Sequence, residues 1–164
     1  MEANPTYDKD GRLGTVEAKI RKIVESLGED VCYQFCNWAQ ANVELDKVDK
    51  PTIVYILPAS GVLHFTWREV LDRPTAQIAF VAPTDFDFDG SENDGIIEAM
   101  KRLCIRFVRA LNRSGYFDEL DGDLNYQALY DHLDQNVTGV VISPTLSEVA
   151  GVNLCDEPER LGDE

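Results

Sequence analysis

The sequence predicts an α+β fold, a mostly antiparallel sheet of about five strands packed against one long amphipathic helix and preceded by N-terminal helices. Three observations lead there. Residues 93–112 place Ile96, Ile97, Met100, Leu103, Cys104, Phe107, Val108 and Leu111 on one continuous helical stripe. Short β-rich runs at 52–57, 62–67, 76–82 and 137–142 are bounded by proline, glycine or polar residues. The chain of 164 residues is 44% hydrophobic and 27% charged, enough apolar material for one core.

Taken in order, residues 1–14 hold Pro5, Gly11 and Gly14 among charged residues and read as a flexible lead-in. Thr15 is placed to cap a helix whose stripe is Val16, Ile20, Ile23, Val24 and Leu27, with Gly28 as its stop. In residues 31–45, Val31, Phe35, Trp38 and Ala39 fit a helical face, while Tyr33, Phe35 and Asn37 also fit an extended segment. Helix is the reading adopted there.

Residues 52–57 form a strand ending at Pro58, and 62–67 its hairpin return, with Leu63, Phe65 and Trp67 on one face and Val62, His64 and Thr66 on the other. Residues 76–82 are apolar on both faces apart from Gln77, the pattern of a central strand covered on both sides. The alternation Tyr126, Ala128, Tyr130 tips 124–130 toward strand, and 137–142 is the last strand, halted by Pro144. The expected organisation is a single domain over 15–150 and an acidic, disordered tail over 151–164.

The acidic loop ahead of the long helix is the sharpest local feature. Asp85, Asp87, Asp89 and Gly90 match positions one, three, five and six of an EF-hand loop, but Ile96 stands at the twelfth, where a bidentate Glu belongs. Ser91 and Asp94 fit a capping box instead. These aspartates are a weak metal candidate, and no high-affinity calcium site is expected. Cys32 and Cys36 have neither redox nor zinc-knuckle spacing, and Cys104 lies in the apolar stripe. The chain carries no nucleophile elbow, Walker loop, dinucleotide fingerprint or zinc-protease motif, so no catalytic residue, no cofactor and no enzymatic activity are expected.

A net charge of −15 opposes non-specific binding to nucleic acid or an anionic membrane and favours basic partners. Against that background Arg102, Arg106, Arg109 and Arg113, spaced four, three and four apart, stand out as a cationic helix face and the candidate interaction surface. Acidic loops of a second copy would meet them, and such contacts weaken with salt, which screens beyond about 10 Å near 0.1 M. The N-terminal Met-Glu-Ala-Asn-Pro has no basic start or apolar run, and no 18-residue apolar window exists, so a cytoplasmic protein with reduced thiols is expected.

The order of elements resembles the tail-terminator and tail-completion proteins of long-tailed phages and prophages. The likeness lies in the Pro-introduced strand Pro51-Thr-Ile-Val-Tyr, the strand Gln77-Ile-Ala-Phe-Val leading to the loop at Asp94, the long helix and a closing hairpin. The runs Asn112-Arg-Ser-Gly-Tyr-Phe and Asn136-Val-Thr-Gly-Val-Val-Ile look similar to prophage-type proteins of gut bacteria. The resemblance covers roughly residues 15–145 and includes no signature motif. It implies a non-enzymatic, virion-associated assembly protein that forms rings with itself and joins other tail or neck proteins. The alternative is a cation- or ligand-binding module built on residues 85–94.

Overall fold

The structure is a computed structural model and describes residues 15–45, 49–84, 90–132 and 137–153. The elements are α1 (Val16–Glu25), β1 (Cys32–Cys36), α2 (Trp38–Glu44), β2 (Thr52–Ile56), β3 (Gly61–Phe65), β4 (Glu69–Pro74), β5 (Gln77–Pro83), α3 (Gly90–Ser114), β6 (Tyr126–His132), β7 (Val137–Ile142) and β8 (Val152–Asn153). They form an α+β fold with a five-stranded sheet in the order β1-β2-β5-β7-β6 and a three-stranded sheet in the order β3-β4-β8. In the larger sheet only β1 and β2 run parallel. Their crossover contains α2, as a parallel pair requires.

The alternation of side chains along β2, β5 and β7 divides the core between the two faces of this sheet. Ile53, Ile78, Phe80 and Val140 point toward α1 and α3 and pack with Ile20, Ile23, Phe107 and Leu111. Val54, Ala79, Val81 and Val141 pack on the other face with Ala41 and Leu45 at the α2 side. The central position expected for residues 76–82 is that of β5, whose Ile78, Ala79, Phe80 and Val81 are all buried.

The long helix also follows its periodicity. Ile97, Met100, Leu103, Cys104, Phe107 and Leu111 are buried, and the Phe107 ring meets Phe80 edge-on, with centroids 5.5 Å apart at 62°. At the start of α1 the Thr15 hydroxyl accepts from the Ala18 N–H at 3.1 Å, and Gly28 beyond its end has φ +115°, a value a β-carbon would strain. Gly139 serves close approach. A β-carbon there would collide with the carbonyl oxygen of Phe80 on the neighbouring strand.

Several expectations are corrected. Residues 31–45 are not one helix. Cys32-Tyr-Gln-Phe-Cys36 pairs in parallel with β2, and Asn37 then opens α2 with a capping box to Gln40. The helical spacing of Val31, Phe35 and Trp38 therefore spans two elements. Nor does β2 form a hairpin with the strand that follows it. All five residues of β2 are buried, which calls for neighbours on both edges, and β1 and β5 supply them. The return strand pairs with β4, an element not expected from the sequence because Pro74 reads as a break; it sits at the strand end, opposite Gly61, where proline is tolerated. Ser91 lies inside α3, which starts at Gly90, so it is not the residue that caps this helix. β8 falls in the segment expected to be tail and pairs with β4 through Glu69 and Val70.

Candidate functional site

The β3–β4 hairpin stands outside both cores. Thr66 closes its turn: its hydroxyl donates to the Glu69 carbonyl at 3.1 Å and accepts from the Glu69 N–H at 3.1 Å, and the Thr66 N–H donates to the same carbonyl at 2.9 Å. The base is held by the returning chain. Leu146 N–H donates to Pro74 O, Glu148 N–H to Asp72 O, and Arg73 Nε to Ser147 Oγ. Between base and turn every residue of β3 is exposed.

That exposure is apolar. Val62, Leu63 and Phe65 retain 60%, 59% and 68% of their accessible surface, and Trp67 in the turn retains 80%. The Arg68 guanidinium lies 4.0 Å over the indole of Trp67. Because β3 is the outer strand of the small sheet, with β4 on one side, its other backbone edge pairs with no strand among the described residues. Proteins ordinarily blunt such an edge with lysine, proline or a bulge. This one presents Gly-Val-Leu-His-Phe. Burying side chains of this size gains about 1.5–3 kcal/mol each, so the arm is a surface that favours being covered.

A second feature has the opposite character. α1 and α3 pack side by side, and their C-terminal halves leave a cleft of about 620 Å³ whose rim carries Lys22, Arg106, Arg109 and Arg113. Its floor includes Ile23 and Leu27, with Tyr116 at one end. Arg106 Nη2 donates to the Leu27 carbonyl at 2.8 Å, which ties the two helices together. Three of the four arginines singled out in the sequence are thus brought together, with a lysine added from α1. Arg102 does not line the cleft; it lies where its charge helps Lys101 hold the Glu98 carboxyl below its usual range, Lys101 donating to Glu98 at 2.7 Å.

A third cluster is buried. Lys19 Nζ forms an ion pair with Glu148 that joins α1 to the chain returning from β7, and the ammonium faces the ring of Phe117 at 6.0 Å. Burial pushes the Glu148 carboxyl above its ordinary value, a rise that the Lys19 charge and hydrogen bond oppose. Nearby, the Tyr33 hydroxyl donates to Glu17 at 3.2 Å, and burial with surrounding negative charge lifts Tyr55 to about 12. The Lys19–Glu148 pair is enclosed, and with the part-buried Tyr33–Glu17 hydrogen bond it is suited to holding α1 in place.

Asp85, Asp87 and Asp89 lie outside the described residues. Among the described residues no group of three His, Cys, Asp or Glu side chains is arranged to hold a metal ion. His64 is exposed on the arm, Cys32 half-buried, and Cys36 and Cys104 buried. Burial raises the Cys104 thiol to about 11. No helix among the described residues is long and apolar enough to cross a membrane.

The arm was missed because alternating Leu63, Phe65 and Trp67 is equally the pattern of a strand facing a core. The buried pair left a signal, a lysine at position 19 within the stripe Val16, Ile20, Ile23. Compared with known proteins, the chain matches no family model, no curated protein and no solved structure.

Proposed function

We propose that this protein is a non-enzymatic assembly protein of the tail-terminator or tail-completion type, acting by association of its own copies through the β3–β4 arm. The observation that supports this reading is the arm itself: four large apolar side chains at 59–80% exposure beside a strand edge that pairs with no other described strand. A chain with net charge −15 repels its copies at long range, and an apolar contact of this kind offsets that repulsion. Where the arm of one subunit docks on a different surface of the next, the contact is heterologous. Such heterologous contacts close into rings or continue as filaments, which agrees with the ring-forming assembly that the phage-tail resemblance implies.

The arm carries its own reporter. Trp67 is one of two tryptophans, and the other, Trp38, is half-buried on α2. Raising the protein concentration should move the tryptophan emission to shorter wavelength as Trp67 leaves water. Trp67→Phe should remove that shift. Emission unchanged from dilute to concentrated protein would show that the arm remains in solvent and that copies do not meet through it.

A further inference from the structure

We infer that the basic cleft between α1 and α3 receives the acidic segment 156–164 of the same chain. The cleft concentrates Lys22, Arg106, Arg109 and Arg113 on a protein that is otherwise strongly acidic. No ion pair joins Lys22, Arg109 or Arg113 to another described residue. Like charges gathered at one cleft repel one another, and an anionic occupant relieves that repulsion. The floor formed by Ile23 and Leu27 is apolar, so the best ligand is a peptide with acidic residues around an apolar one, not a bare inorganic anion.

Segment 156–164 has that composition: Asp156, Glu157, Glu159, Asp163 and Glu164 surround Leu161, with Arg160 the only cation. The path of the chain brings it close. Val149 N–H donates to the carbonyl of Tyr116, a residue that lines the cleft, at 3.0 Å. From Val149 the described chain runs four residues further to Asn153, at most about 14 Å in extension, and eleven residues follow. Those eleven span up to about 36 Å. Arg106 to Arg113 is seven residues of helix, a rise of about 10 Å. The return of about 14 Å and the cleft of about 10 Å together leave length to spare. Charge, composition and reach therefore agree on an occupant in cis, one that shields the arginines from any other acidic partner.

Zero-length carbodiimide coupling of the full-length protein tests this, because Lys22 is exposed and carries the only primary amine among the described residues that line the cleft. In dilute protein, peptide mapping of the monomer band should find the Lys22 amine joined to a carboxylate within 156–164. Arg109→Glu with Arg113→Glu, both exposed positions, should lower that yield several-fold while the circular dichroism spectrum is unchanged. High salt should lower it in the same way. The inference is overturned if Lys22 couples to no residue of 156–164, if the double variant couples as well as the wild type, or if the link is found only between chains in a dimer band. Since coupling is read in the monomer, its outcome is independent of whether the β3–β4 arm drives assembly.

Discussion

Among the residues that α1 buries, Lys19 alone carries a charge, and its place is explained by one partner, Glu148. Burial already raises the Glu148 carboxyl despite that partner, so removing the ammonium leaves burial and the nearby Asp72 charge opposed only by a hydrogen bond from the Asp72 backbone. Lys19→Met should cost about 3–5 kcal/mol at neutral pH, whereas Lys19→Met with Glu148→Leu should recover most of the loss by replacing the pair with apolar contact. The pH dependence has a defined sign. A carboxyl titrating higher in the folded protein than in the unfolded chain stabilises below the unfolded value, about 4.3, and that contribution is lost as pH rises through the folded value. The deficit of Lys19→Met should therefore be small near pH 4 and grow toward neutrality. Urea titrations at the two pH values would contradict this if the deficit were larger in acid.

At the scale of elements, α3 supports the larger sheet through Phe107, which is fully buried against Phe80 of the central strand. Phe107→Ala should cost about 3–5 kcal/mol in chemical denaturation; a loss below about 1 kcal/mol would remove α3 from its role in the core. This element was legible because its stripe depends on one helical period, repeated over many residues. β5 and β7 were legible for a related reason, since strands covered on both faces are largely apolar, with Gln77 and Thr138 the polar exceptions. Strand partnership was legible for the closing hairpin, whose β6 and β7 pair antiparallel, but not for β2 and β3. The hairpin expected between β2 and β3 and the one observed between β3 and β4 differ in which turn closes, and the burial of β2 between β1 and β5 decides it. That is long-range information. The candidate sites divide in the same way. The arginine face was readable from α3 alone, but the cleft needs Lys22 from a distant helix, and the exposed side of β3 needs a core that bypasses it.

For the whole molecule, two long-range facts compete. The charge of −15 pushes copies apart, while the β3–β4 arm gains free energy when covered. Salt acts on the first and leaves the second in place, so association through the arm should persist or strengthen as salt rises. Contacts made by arginines on acidic loops would weaken over the same range, as the screening length falls from about 30 Å at 0.01 M to about 3 Å at 1 M. The most direct measurement is sedimentation velocity on the wild type and on Phe65→Asp with Trp67→Asp, across protein concentration and at low and high salt. Both substituted side chains are exposed, so the variant should fold. Association through the arm predicts an oligomer of the wild type that survives high salt and a variant that stays monomeric. A wild type that is monomeric at every concentration, or a variant that assembles as readily as the wild type, would contradict it.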